Sequence, residues 1–198
     1  MGRDVGGRAV TEPERSAERD AAIDALLDVV PFPGWTMAAL QGAAGPDADL
    51  LFPGGAADLV EAYMDLADRR TVEGAGALGL ESMRVPARVR ALVAERLRRA
   101  RPHREAVARA VAVLAGSPGL AARCTARTVD AIWFAAGDGA ADLSWYTKRL
   151  ILAGVYGSTL LVWLGDGSGD DAASLAFLDR RLGDVRRLGR VMGRRKKG

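Results

Sequence analysis

Apolar residues recur at steps of three and four between glycine and proline breaks along most of the chain, and no stretch alternates apolar with polar residues. A core built from this pattern has to come from helices packed on helices, which predicts an all-α fold of about nine helices. Ile23, Leu26, Leu27 and Val30 mark a first helix beginning near Ser16, stopped by Pro31, Pro33 and Gly34. Thr36 is placed to cap a short helix over Met37–Ala44 that ends at Gly45-Pro46. Leu50, Leu51 and Phe52 form an apolar knot before Pro53-Gly54-Gly55, and Leu59, Tyr63 and Leu66 lie on a helix read over Asp58–Glu73. Pro86 sits at a helix start whose stripe is Val89, Leu92, Val93 and Leu97, and Pro102 ends it. Val107, Val111 and Leu114 make the next stripe. After Gly116-Ser117-Pro118-Gly119 comes a helix through Val129, Ile132, Trp133 and Ala136. Asp142 or Ser144 is placed to cap a long helix from Trp145 to about Leu164, and Gly165–Gly169 leads to a last amphipathic helix. The apolar run Leu150–Leu164 is shorter than the roughly 20 residues of a spanning helix, so it predicts a buried helix and a dimer interface with Gly154 and Ser158 as a small-residue track.

This order divides the 198 residues into a flexible tail (1–15), a head of short helices and a turn (16–70), a helical body (71–192) and a basic tail (193–198). Charge follows the same division. From Asp20 to Asp68 there are nine acidic residues and no Lys, Arg or His, whereas Arg69–Thr128 holds thirteen arginines against four acids. A helix-turn-helix head on a helical body is the plan of TetR-type repressors, but nine carboxylates without a cation repel a phosphate backbone, so no nucleic-acid binding is expected. The competing class, a ligand-responsive transcription regulator, would need cations in that head.

Catalytic and metal chemistry find little to work with. One cysteine, Cys124, and one histidine, His103, cannot assemble a zinc or copper set, and no ExxH pair of a bundle di-iron site occurs. His103 reads as a surface residue and Cys124 as a small core residue. Gly74-Ala75-Gly76-Ala77-Leu78-Gly79 matches GxGxxG, but the residues before it read as helix where a dinucleotide site requires a strand. The expectation is a protein without catalytic residues, metal or cofactor. An N-terminus with acids and no apolar stretch shows neither a secretory signal nor a transit peptide, which predicts a cytoplasmic protein able to touch the inner face of the cytoplasmic membrane. The excess of arginine over lysine, 25 to 3, is the bias of a GC-rich bacterial genome.

Aromatic residues gather between Trp133 and Trp163. Trp133, Tyr156 and Trp163 suit a core, whereas Trp145 and Tyr146 point about 100° apart at a helix start and, with Asp142 beside them, suit an exposed docking patch. The stretch Thr128-Val129-Asp130-Ala131-Ile132-Trp133-Phe134-Ala135-Ala136-Gly137-Asp138, then Asp142-Leu143-Ser144-Trp145-Tyr146-Thr147-Lys148-Arg149 and Leu152-Ala153-Gly154-Val155-Tyr156, closely resembles the COQ-nine family of ubiquinone-biosynthesis accessory proteins. The likeness extends to Phe177-Leu178-Asp179-Arg180-Arg181 and more loosely upstream.

The resemblance implies a TetR-like helical bundle with a degenerate helix-turn-helix head and a C-terminal lipid-binding and dimerisation domain. It further implies a homodimer that binds isoprenoid quinone intermediates or phospholipid and presents them to the di-iron hydroxylase acting on demethoxyubiquinone. Asp142, Trp145 and Tyr146 match the family's partner-docking patch, with Ile132 on the same surface. Ala140-Ala141 and Leu143-Ser144 depart from the family's polar residues around Asp142. The chain ends in Gly193-Arg194-Arg195-Lys196-Lys197-Gly198 where family members continue into an amphipathic helix, and this basic end predicts at most weak membrane-surface contact. For the lipid, Val89, Leu92, Val93, Val107, Val111, Leu114 and Trp133 are the pocket-lining candidates; the same stripes equally suit solid core packing.

Overall fold

The computed structural model describes residues 12–137 and 144–195. Among the described residues there are eight α-helices, four short 3-10 turns and no strand, which establishes the all-α class with one α-helix fewer than the spacing suggested. The helices are α1 (Ala17–Leu27), α2 (Met37–Ala44), α3 (Ala56–Gly74), α4 (Val85–Ala100), α5 (Arg104–Ala115), α6 (Pro118–Ala135), α7 (Ser144–Leu164) and α8 (Ala172–Arg195).

Local chemistry sets their starts. Ser16 Oγ accepts from the Arg19 backbone N–H at 3.1 Å, and Thr36 Oγ1 accepts from that of Ala39 at 3.2 Å, so two helices open on hydroxyl caps. Pro86 and Pro118 occupy the first turns of α4 and α6, where a missing N–H loses no helical bond. The GxGxxG string is the end of α3 followed by a 3-10 turn over Ala75–Leu78, with no strand before it. Leu50 departs from the apolar knot: it is exposed, while Phe52 is buried.

Helix α3 is the organising element and packs against α1, α4, α5 and α6. Its buried Leu59, Val60, Tyr63, Met64 and Leu66 belong to one continuous core that runs from Ala22 to Leu178, and the boundary expected after residue 70 falls inside this helix. Where a recognition helix would stand between α2 and α3, the chain makes only the four-residue turn Ala48–Leu51.

The segregated charges meet across these packings. Asp20 and Asp24 on α1 reach Arg69 and Arg70 on α3, each at 2.6 Å; Asp65 reaches Arg15 at 2.7 Å; and Asp68 reaches Arg96 on α4 at 3.0 Å. Asp58 pairs with buried Arg19, whose guanidinium lies 4.2 Å from the Phe52 ring centroid, and Glu61 pairs with Arg123 and Arg127 on α6. Six of the nine acids are thus engaged by arginines. Arg15 belongs to the stretch read as a tail, of which residues 1–11 lie outside the described residues.

A second polar lock joins the two ends of the body. Asp171, in the left-handed region at φ 58°, accepts from Arg101 at 2.6 Å, from Arg104 at 2.7 Å and from Trp163 Nε1 at 3.0 Å. Arg104 also stacks 4.5 Å above the Trp163 ring. Just before it, Asp166 accepts from the Ser168 and Ser174 hydroxyls and backbone N–H groups, which hold its carboxyl well below the usual range. The turn between α7 and α8 is therefore fastened to the start of α5.

Candidate functional site

Two regions compete for the role of site: the apolar interior between α4, α5 and α6, and the outer edge where α6 ends and α7 begins. Interior positions come first. Val89, Leu92, Val93 and Val107 are buried in the core; Leu114 and Trp133 are partly buried and pack against it, and Val111 is partly buried. The Trp133 indole Nε1 is buried with no hydrogen-bond partner among the described residues. An unpaired N–H inside an otherwise apolar wall leaves donor capacity that a carbonyl-bearing guest would satisfy.

A polar string crosses this interior. Arg96 Nε donates to the Tyr156 hydroxyl at 3.0 Å, and Thr128 Oγ1 donates to Asp68 at 2.9 Å, so α3, α4, α6 and α7 are tied by one network. Burial raises the Asp68 carboxyl to about 6, against the opposing pull of Arg96 and Thr128. Burial would lower the Arg96 guanidinium, but Asp68 and two phenols hold it above its ordinary value, and it stays charged. None of this string stands out in the sequence, because Asp68 closes an acidic run that reads as solvated surface.

The outer edge is different in kind. Asp130 and Phe134 are one turn apart on α6, and Asp130 accepts from Arg149 on α7. Arg149 is flanked on its own helix by Tyr146 and Leu150, again one turn apart. Phe134 is 77% exposed, Tyr146 70% and Leu150 75%, an unusual amount of large apolar surface to leave uncovered beside one ion pair. Asp142 lies outside the described residues, as does the side chain of Trp145. Ile132 does not share the edge: it is 2% exposed, because Thr128, Ile132 and Ala136 recur at steps of four on the buried face of α6. Phe134 and Leu150 were not singled out beforehand; the four-residue step from polar Asp130 was the signal that Phe134 faces outward.

Helix α7 is buried on one face only. Leu152, Val155, Tyr156, Thr159 and Trp163 point inward, whereas Leu161 is 62% exposed and Ile151, Gly154 and Ser158 line an open groove of about 760 Å³ shared with Val185 and Arg181 of α8. Within the single chain, the apolar run Leu150–Leu164, expected to be a buried helix and a dimer interface, is therefore covered on one face only. Ser158 donates to the Gly154 carbonyl at 2.7 Å, which keeps that side of α7 narrow. Cys124 is a buried core thiol on α6, raised by burial, and His103 is partly exposed near Asp28.

The α6–α7–α8 region coincides with the stretch matched by the COQ9 family model, residues 119–189. The rat protein named ubiquinone biosynthesis protein COQ9, mitochondrial, is 44% identical over 61 residues, 31% of this chain and 20% of its own length. The human protein of the same name is 28% identical over 201 residues, covering 94% of this chain and 63% of that protein. Residues 119–189 are thus similar to the COQ9 family, and the chain as a whole is similar to the human COQ9 protein. It spans about a fifth of the rat relative in the matched stretch and less than two thirds of the human one. These relatives, with a Xenopus laevis COQ9-B 44% identical over 64 residues (32% of this chain and 22% of that protein), are mitochondrial by name, which overturns the expected cytoplasmic location. They are also eukaryotic, so the bacterial source inferred from arginine usage has no support among them. No helix among the described residues is long and apolar enough to cross a membrane.

Proposed function

We propose that this chain is a COQ9-family member and serves ubiquinone biosynthesis as a non-enzymatic accessory: it holds an isoprenoid quinone intermediate or other lipid and presents it to the pathway's demethoxyubiquinone hydroxylase. The observation that carries this reading is the exposed Phe134–Tyr146–Leu150 edge inside the family-matched segment. Large apolar side chains around a central ion pair are the composition of a docking surface. Asp142, Trp145 and Tyr146 are the proposed contact residues, and Phe134 and Leu150 extend them.

For the lipid, the reading is that the stripes Val89, Leu92, Val93, Val107, Val111, Leu114 and Trp133 part to admit an isoprenoid tail. Each buried methylene then recovers about 0.8 kcal/mol, enough to match what the tail loses on leaving a bilayer. A homodimer through α7 and α8 would cover Leu161, Ile151 and the groove beside them. The basic end of α8 would add weak contact with an anionic membrane surface. In this scheme residues 16–70 act as a degenerate head that braces residues 71–192. The transcription-regulator alternative is not supported, since the head offers nine acids without a cation between Asp20 and Asp68, six of them paired internally, and a four-residue turn stands in the place of a recognition helix.

A pull-down comparing wild type with the Trp145→Ala, Tyr146→Ala double variant, scoring hydroxylase and extractable quinone together, tests the reading. Loss of hydroxylase with retention of quinone and helicity is expected. Capture of neither by wild type would overturn it. Light scattering at micromolar concentration checks the dimer, which Leu161→Glu is expected to dissociate.

A further inference from the structure

We propose that the cavity between α1, α3 and α4 binds a small organic acid, a carboxylate on a compact apolar body, at a site separate from the interior stripes and from the α6–α7 edge. Its volume is about 370 Å³, at the small end of ligand pockets and suited to a single ring. Leu27, Leu66 and Ala67 supply an apolar wall, and Tyr63 and Arg96 supply the polar one.

The argument rests on donors without acceptors. Tyr63 is 7% exposed, yet its hydroxyl has no hydrogen-bond partner among the described residues. Burial pushes that phenol up to about 12, so it stays a donor throughout the physiological range. Arg96 is equally buried and donates through Nε to Tyr156 and through Nη2 to the Met64 sulfur, with Asp68 3.0 Å from Nη2. Its Nη1 meets no acceptor among the described residues. Two donors, one from α3 and one from α4, thus line the same cavity with hydrogen-bonding capacity left over for a guest that displaces its solvent.

Charge selects the occupant. Arg70 and Arg99 also line the cavity, but Arg70 is held bidentately by Asp24, Arg99 gives its Nε to Glu95, and Asp28 lies close to His103, so each charge at the mouth has a partner of opposite sign. Of the three guanidiniums that line the cavity, Arg96 is the buried one, the other two being 39% exposed. A carboxylate there would take a charge-assisted bond from Arg96 and a second from Tyr63, with its body against Leu27 and Leu66. Free phosphate would gain the first two contacts and nothing from the wall. Gly74 contributes by its lack of a side chain: a Cβ would collide with the Arg99 guanidinium that closes this side.

Benzoate, with inorganic phosphate as the comparison, is the probe for ligand-observed NMR and thermal shift on the full chain. Saturable benzoate binding is expected at millimolar concentration or below, with phosphate alone giving none. Tyr63→Phe removes only an unbonded hydroxyl, so it should weaken benzoate roughly tenfold without lowering the melting temperature. Ala67→Leu should fill the cavity and abolish binding while helicity by circular dichroism is retained. Absence of benzoate binding, equal binding of phosphate, or binding unchanged in both variants would each overturn the proposal. The outcome is independent of quinone capture, which involves neither residue.

Discussion

The acidic head and the α6–α7 edge treat their surfaces in opposite ways. In the head, charges that look in the sequence like an outward-facing acidic patch are drawn into pairs: α1 with α3, α3 with α4, α3 with α6. At the edge, side chains that look like core material stand in solvent around the Asp130–Arg149 pair. The lesson is that charge segregation along a chain is not evidence of an external partner until the internal partners are counted. Exposed aromatic surface in a helix-mounted position is the stronger sign, because burial in the core would have been expected of it and the fold leaves it in solvent.

The largest test of this contrast is Arg96→Ala. It would strand Asp68 in the core, and breaking a buried pair from one side costs about 3–5 kcal/mol. The low end is expected, about 3 kcal/mol, because Asp68 can take up a proton and shed its charge. Calorimetry would register a fall of roughly 6–12 °C for a chain of this size. The double variant Arg96→Met, Asp68→Leu should regain most of that loss. Equal instability of single and double variants would mean that the cost lies in packing and not in the orphaned charge.

A second effect, of comparable size but spread over several pH units, concerns pH. Because the Asp68 carboxyl is raised by burial to about 6 in the folded chain from 3.8, the folded state binds the extra proton between those values. Its contribution to stability is fully present below about pH 4 and is lost as pH rises through 6, about 3 kcal/mol in all. Asp65 and Glu61 have the opposite sign. Burial alone would raise them, but Arg15 and Arg69 hold Asp65 low and Arg127 and Arg123 hold Glu61 low, so their contribution is present above about pH 4 and disappears below it. Urea unfolding of wild type and Asp68→Asn at pH 4, 5, 6 and 7 should show a difference that changes across this range. A constant difference would show that Asp68 does not titrate there.

Asp171→Ala ranks next. It removes the acceptor of Trp163 Nε1 and the partner of Arg101 and Arg104, and leaves an alanine at a left-handed φ. A loss of about 2 kcal/mol is expected, from one orphaned indole N–H and backbone strain. Asp171→Asn keeps an acceptor and tolerates the conformation, so it should lose about half as much.

Much of this architecture is local and therefore readable beforehand. Ser16 and Thr36 cap the helices they precede, and Pro86 and Pro118 open theirs, because such signals act within one turn. Pairings are not local. Nothing near Asp68 announces that it meets an arginine 28 positions on and a threonine 60 positions on, and an acid at the end of a charged run reads as solvated. Ile132 was misplaced for a different reason: it was set on the docking surface by resemblance alone, whereas the four-residue step puts it with Thr128 and Ala136 on the buried face. For α7 the pattern was uninformative by nature. A helix apolar on all sides cannot say which half the rest of the chain will cover.

The smallest expected effect on stability is also the one that most sharpens the contrast. Tyr146→Ala and Leu150→Ser alter side chains that are 70% and 75% exposed, so together they should shift unfolding by no more than about 0.5 kcal/mol. Leu152, two positions further on α7, is buried, and Leu152→Ala should cost about 2–5 kcal/mol. If the edge is a docking surface, the first pair abolishes capture of the hydroxylase without touching the fold, whereas Leu152→Ala weakens the fold and affects capture only in proportion to the folded fraction. A surface pair that destabilised as much as the core variant would mean that Tyr146 and Leu150 are covered in solution, and the α6–α7 edge would then be an interface between copies of this chain.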